Sequence, residues 1–506
     1  MKKINLKVAF LLCLSLIIIS CEEEFLERTP ESSSIAVTDL QETAIINPEI
    51  LDATLNGAYT ILYTPGTGGI GGHNDFGPKG HDILSDILST DMALSKNTYS
   101  RFSAIAQHII TTDYTQNRGN YQIWRCYYRL IRACNLIITS LGGNDAEITD
   151  ANRHTMGQVK ALRGFSYFYL AQFYIPEYSD DSTVLPIYID SEVAENQAQS
   201  TTKEVYDLII DDLTEAASLL ETFTRTQKFE MSTDVAKSLL AYTYAARGKS
   251  GDNLLAKNLA EEVISSGYPL TTKDQAVAGF NDITTPSWIW GVDIIPDFNL
   301  HLWSWFGQMD FYSYSYQFFG DTKSIDASLY DAISPNDIRK TQFLADPAAE
   351  GLNPGYELAP YKKFYDQARV LRGTSIANTS DYVFLRVDEM YLLSAEMSAK
   401  EGMDIDARNR LKDLLMLRFD DAADYAYVDA LSGSALEDEI YLQTRIELWG
   451  EGKSYLAMKR NKATVTRDGS NHLFLQGQSF PYNSDEMTFK IPQSEIQNNL
   501  FINEQN

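Results

Sequence analysis

Cysteine is scarce in this chain, four residues in 506, and two of them, Cys13 and Cys21, lie within or directly behind an apolar leader. The other pair, Cys126 and Cys134, sits in a segment of helical periodicity, about 12 Å apart by helical rise, which is too far for a bridge within one helix. A disulfide framework is excluded, and a large core has to carry stability instead. Histidine is almost as rare. Six residues, at 73, 81, 108, 154, 301 and 472, show neither H-x3-H nor H-E-x2-H spacing and no cysteine pair beside them, so the usual zinc signatures are missing. Basic residues are outnumbered, 42 Lys and Arg against 69 Asp and Glu for a net charge of −27, which argues against nucleic acid or anionic lipid as a partner. No G-x-S-x-G occurs. Gly452-Lys453-Ser454 and Gly248-Lys249-Ser250 imitate the end of a P-loop, but Glu447 and Thr243 stand where its first glycine belongs, so both read as helix ends. Behind the leader no apolar run approaches the roughly 20 residues a membrane-spanning helix needs.

What is present begins with the leader. Lys2, Lys3 and Lys7 precede a short apolar run in residues 1–20, the order of a secretory signal. Ile18-Ile19-Ser20-Cys21 resembles the bacterial lipobox, in which the cysteine is acylated and becomes the new N-terminus. Two or more acyl chains anchor a protein stably without a spanning helix. Glu22, Glu23 and Glu24 then open an acidic tether, taken as residues 21–50.

With 44% hydrophobic and 12% aromatic residues the rest folds, and its length predicts two lobes or a repeat architecture. Apolar spacing predicts helices from Leu51, over Tyr121 to Leu141, from Val159, from Lys203, and as a pair over Asp234 to Gly267; together they form a scaffold over 51–268. The pair has the small-residue pattern of a tetratricopeptide repeat. Helical periodicity returns over 385–463, with runs from Leu385, Ala407 and Leu436, ahead of a C-terminal segment, 464–506. Stacked pairs of this kind make a solenoid with a concave face. Between them, 269–384 is broken by Pro286, Pro296, Pro335, Pro347, Pro354 and Pro360 and carries four of the six tryptophans. A long irregular insertion with a few short strands, such as WIWGVDI from Trp288, predicts a functional lobe.

Several blocks in order resemble the SusD/RagB family of Bacteroidetes outer-membrane lipoproteins: the lipobox, LNGAY from Leu55, WRCYYRLIRACNLII from Trp124, VKALRGFSYFYLAQFY from Val159, DAISPNDIRK from Asp331, TRIELWGEGKSYLAMKR from Thr444 and FKIPQSEIQNNLFINEQN from Phe489. The family commonly has Glu-Arg where this chain has Thr444-Arg445. The resemblance implies a mainly α fold, a tetratricopeptide-like superhelix with a loop-rich ligand lobe. It implies lipid anchoring at the outer cell surface, a SusC-like TonB-dependent transporter as partner, and capture of an oligosaccharide or other nutrient without catalysis. Two other classes compete: a secreted glycan-cleaving enzyme and a structural helical-repeat adaptor. No cofactor is expected, and a structural calcium ion is compatible with the loop carboxylates.

A glycan receptor needs aromatic platforms beside hydrogen-bonding side chains. In HLWSWFGQMDFYSYSYQFFG, His301 to Gly320, Trp303 and Trp305 alternate with polar residues and Tyr312, Tyr314 and Tyr316 with serines. A strand there would line three rings along one face, with Gln308 and Asp310 as polar partners; the competing reading is the core of the lobe. Replacing Trp303 and Trp305 is then expected to weaken capture and spare stability. The second candidate is the loop Gly66 to Asp82. Its formal G-x-G-x-x-G follows a helix, not a strand, and Gly72, Gly77, Pro78 and Gly80 argue against a helix behind it, so dinucleotide binding is excluded. His73, Asn74 and Asp75 could reach a ligand or form a self-satisfied turn.

Overall fold

The structure, a computed structural model, describes residues 49–506 except 116, 192–195, 367–378 and 503. The signal, Cys21 and most of the acidic tether expected from the sequence lie outside the described residues. Among the described residues the α-helices of eight residues or more are α1 (Glu49–Thr60), α2 (Pro78–Leu88), α3 (Gln122–Ser140), α4 (Arg153–Tyr174), α5 (Thr202–Leu219), α6 (Thr233–Arg247) and α7 (Asp252–Ser265). After the irregular stretch come α8 (Val387–Lys400), α9 (Asp404–Leu415), α10 (Ser434–Glu447) and α11 (Lys453–Arg460). From α3 onward each packs on its successor through α7, and α7 packs on α8 as though nothing intervened between them. The fold is therefore mainly α, a tetratricopeptide-like superhelix from whose stack the irregular stretch departs and returns.

Local chemistry explains the regular part. Ile123, Tyr127, Leu130, Ile131, Cys134, Ile137 and Ile138 form the buried face of α3. Cys126 and Cys134 are free and buried, and burial pushes both thiols up to about 12, so neither is a reactive thiolate. Thr201 and Glu204 form a capping box at the start of α5, and Gly248, left-handed at φ 65°, stops α6. Gly164 brings α4 against α5: a Cβ there would lie 2.8 Å from Leu213 Cγ.

Two elements depart from expectation. A helix, α2, does follow the glycine-rich loop. Pro78 occupies its first turn, where a missing N–H costs nothing, and Gly80 lets the Asn74 carbonyl approach, since a Cβ would sit 2.8 Å from it. Every residue of α2 is buried, Lys79, His81, Asp82 and Asp86 included, so it has no polar face for a periodicity argument to find. The run expected from Leu436 as one helix is two: Gly450 and Gly452, at φ 81° and 73°, break it between α10 and α11.

Strands are short. Among the described residues β1 (Met92–Leu94), β2 (Thr183–Pro186), β3 (Gln199–Thr201), β4 (Trp288–Val292), β5 (Lys323–Ile325), β6 (Tyr382–Arg386), β7 (Thr464–Thr466) and β8 (Ser479–Pro481) form antiparallel pairs β1–β5, β2–β3, β4–β6 and β7–β8. Pairing β4 with β6 closes the irregular stretch at its two ends, with Trp288 opposite Arg386. The latter enters a buried ionic cluster. Arg386 donates to Glu447 at 2.9 Å and to Glu451 at 2.8 Å, while Arg418 binds Asp388 at 2.9 Å and Glu447 at 2.8 Å. Arg339 adds a bond to Glu447 at 3.1 Å. Burial alone would raise the Glu447 carboxyl, but Arg418 and Arg386 hold it well below the usual range.

Candidate functional site

The loop after α1 and the aromatic stretch 301–320 are more than two hundred residues apart in sequence and meet in space. No strand forms there. The serines that alternate with rings act as helix caps instead: Ser304 Oγ accepts from Gly307 N–H and Ser315 Oγ from Phe318 N–H, starting the short helices Trp305–Met309 and Tyr316–Phe319. Turning from strand to helix sends neighbouring rings in different directions. Trp305 points inward, 1% exposed, its ring edge-on to Phe364 at 5.2 Å and under Lys79 Nζ at 4.3 Å. Tyr312 is likewise buried, in a small satellite core with Phe311 and Tyr365. Neither ring can serve as the surface platform expected of it.

The polar candidates are mostly structural as well. Asp310 is buried and accepts from Tyr312 N–H at 2.8 Å and Ser313 N–H at 3.0 Å; burial pushes its carboxyl up to about 6. Asp75 is buried and clasps its own loop through Gly68 N–H at 2.8 Å and Ile70 N–H at 3.1 Å. Asn74 is half-buried, and its carbonyl accepts from Gln122 at the start of α3, at 2.9 Å. Gln308 is buried and donates to the carbonyls of His73 and Leu302, both at 3.0 Å. It ties the loop to the aromatic stretch.

What remains nearer the surface is a group built over Tyr316, whose own ring is buried at 9% exposure and so is not the platform expected of it either. The His73 ring lies 5.0 Å from that of Trp303 and 5.8 Å from that of Tyr316, and its Nδ1 is 2.8 Å from the Tyr316 hydroxyl. Trp303 is half-buried. Tyr314, 47% exposed, packs on Phe319 at 4.8 Å. Burial, with Arg101 nearby, lowers the His73 pKa, so the ring is neutral at neutral pH.

Sequence reasoning missed the strap 97–101, which completes the group. Tyr99, 53% exposed, lies edge-on to Tyr316 at 5.7 Å, and the Arg101 guanidinium sits 4.9 Å from the centre of the same ring. The buried Asp321 holds the strap by accepting from Thr98 and Tyr99 N–H, both at 2.7 Å, and from Arg101 N–H at 3.0 Å. Beneath it Lys323 Nζ donates to the carbonyls of Gln308 at 3.1 Å and Asp321 at 2.9 Å; burial brings its pKa down to about 7. Ser100 on the strap and Phe102 just behind it, and Asn299 and His301 beside Trp303, hold left-handed φ between 48° and 62°. Such backbone strain concentrates at sites that clamp ligands. Asn97 Oδ1, Arg101 Nε and Gln308 Oε1 are buried without a hydrogen-bond partner among the described residues. The only signal for the strap in the sequence was its mix of aromatic and polar residues, which many loops share.

A family model described as SusD-like, starch-binding and associating with the outer membrane, matches residues 24–247. A SusD-like protein of Formosa agariphila is 27% identical over 184 residues, 36% of this chain and 33% of that protein, so the chain spans about a third of the length of the curated relative it matches. A SusD-like carbohydrate binding protein from Bacteroides vulgatus superposes with a TM-score of 0.74 at 25% identity, over 90% of this chain and 97% of that one. In sequence over residues 24–247, and in fold over nine-tenths of its length, the chain is similar to SusD-like proteins. The surface glycan-binding protein A of Bacteroides thetaiotaomicron, solved in complex with laminarihexaose, shares the fold at a TM-score of 0.69 and 18% identity, covering 90% of this chain and 99% of that one. The family match in sequence takes in the loop carrying His73 and the strap but stops before Trp303. Among the described residues no helix is long and apolar enough to cross a membrane.

Proposed function

We propose that this chain is a cell-surface receptor that captures carbohydrate without cleaving it. The observation that carries the reading is the convergence of Trp303, His73, Tyr99 and Arg101 around the buried Tyr316 ring. Rings offer faces to sugar C–H groups, and the guanidinium offers bonds to hydroxyls. The carbohydrate-binding relatives of the same fold support the ligand class. Acylation at Cys21 then tethers the receptor to the outer membrane, and the captured ligand passes to a SusC-like TonB-dependent transporter; the family's association with the outer membrane supports both.

The test is calorimetric titration of the mature protein with neutral oligosaccharides, laminarihexaose and maltohexaose among them, paired with chromatography of the sugars after incubation. Binding that is lost in Tyr99→Ala and Trp303→Ala, with intact sugar recovered, is the expected result. Shortened sugars would turn the reading to an enzyme. Unchanged affinity in both variants would move the site elsewhere. Mass spectrometry of membrane-extracted protein checks the anchor, which requires diacylglycerol on Cys21.

A further inference from the structure

Along the outer face of α3 runs a groove of about 710 Å³ that the proposed capture surface does not use. Arg125, Arg129 and Arg132 recur at helical spacing along it and are exposed. Among the described residues none of the three takes part in an ion pair; Arg125 reaches only the Tyr121 hydroxyl, at 3.4 Å. Three guanidiniums on one helix face with no ion pair among the described residues are out of character for a chain of charge −27, many of whose other arginines are bound to carboxylates. Two carboxylates, Asp190 and Glu495, also border the groove, and Glu495 is engaged by Asn499 Nδ2 at 3.2 Å.

Aromatic residues accompany the cations. Tyr121 and Tyr128 lie on the same helix face, half-buried, and Tyr188 meets Tyr128 edge-on at 5.8 Å. The Tyr128 hydroxyl is fixed by the Pro186 carbonyl at 2.8 Å, and Asn135 Nδ2 holds the Tyr188 carbonyl at 2.8 Å. The ring positions are thus built rather than incidental. The groove starts where α3 meets the loop carrying His73: Gly69 touches the Arg125 side chain, so that a Cβ there would fall 2.5 Å from Nε.

We propose that this groove is a second saccharide site, one that takes an anionic oligosaccharide. Arg125, Arg129 and Arg132 hold its carboxylate or sulfate groups, and Tyr121, Tyr128 and Tyr188 support its ring faces. A planar guanidinium fork matches both kinds of anionic group. A concave, half-polar floor, in which the lining Trp124 and Ile131 are buried and not presented as an apolar centre, suits a sugar chain better than a protein interface, whose centre is apolar and densely packed.

The test titrates the mature protein with hexagalacturonate and with a heparin-derived hexasaccharide, with laminarihexaose as the neutral control. The comparison uses wild type, Trp303→Ala, and the double variant Arg129→Ala/Arg132→Ala, whose exposed side chains can be removed without disturbing the core. At least one anionic probe is expected to bind wild type and Trp303→Ala alike, to lose about 30-fold or more in the double variant, and to weaken with added salt. The carboxylate and sulfate probes separate the two anionic chemistries. The neutral control reports on the capture surface, so failure there and failure in the groove are distinguishable. Absence of binding by both anionic probes, or equal affinity in the double variant, overturns the proposal. So does a double variant that keeps its sugar affinity but no longer co-purifies with an outer-membrane transporter, which would make the groove a protein contact.

Discussion

Trp303 and Trp305 are two residues apart and face different surroundings, one in contact with His73 near the surface and the other closed under Lys79 and Phe364. Trp305→Ala removes a ring that is packed on all sides and is expected to cost about 3–5 kcal/mol of stability. Trp303→Ala leaves no comparable cavity. It is expected to keep the melting temperature within a degree or two and to lose about tenfold in sugar affinity. Thermal unfolding and titration of the two variants side by side check this, and equal destabilisation by both would place Trp303 in the core. The alternation of rings and polar residues in this stretch was legible in the sequence. Its meaning was not, because a serine can face solvent from a strand or cap a helix, and only the turn that Ser304 and Ser315 make decides which rings emerge.

At the scale of elements, the break between α10 and α11 has an energetic reason. It places Glu447 at the end of one helix and Glu451 in the turn, where both meet Arg386 as it leaves β6. The return of the irregular stretch to the helical stack is thereby locked by charge as well as by strand pairing. Glu447→Gln leaves Arg339, Arg386 and Arg418 buried around a neutral group and is expected to destabilise by about 3–5 kcal/mol, read as a lower urea midpoint with ligand affinity per folded molecule unchanged. A loss under 1 kcal/mol would show the cluster to be dispensable. The helices of the scaffold were readable because each has one apolar face against its neighbours. Fully buried α2 and the glycine break were not, since neither leaves a one-sided pattern.

For the whole molecule, acid stability follows from opposing groups. Burial holds His81 down to about 3 and, with Arg467 beside it, His108 down to about 4. The unfolded chain takes up these protons first, so stability falls as pH drops from about 6.5 toward 4. Burial raises Asp310 and Asp381 to about 6, so here the folded state takes up protons first and stability rises over much of the same window. Lower down one sign prevails. Burial would raise Glu396 and Glu451, but Arg460 and Lys400 in the one case and Arg386 and Lys363 in the other bring them to about 2, and Glu447 is lowered too. Their contribution is complete above the unfolded value of about 4.3 and disappears toward pH 2. The urea midpoint is expected to change far less between pH 6.5 and 4 than between 4 and 2. A collapse already complete at pH 5 would contradict this balance.

The sequence by itself determined the mainly α class, the position of the scaffold helices and the block order shared with the family. Those properties live in short segments, where each helix carries its own apolar face and its own caps. Only the tertiary structure decided which aromatic rings reach the surface, that the strap 97–101 joins them, and that three arginines of α3 line a groove with no ion pair among the described residues. Exposure in an irregular segment depends on which distant segment comes to cover it, and no local pattern records that.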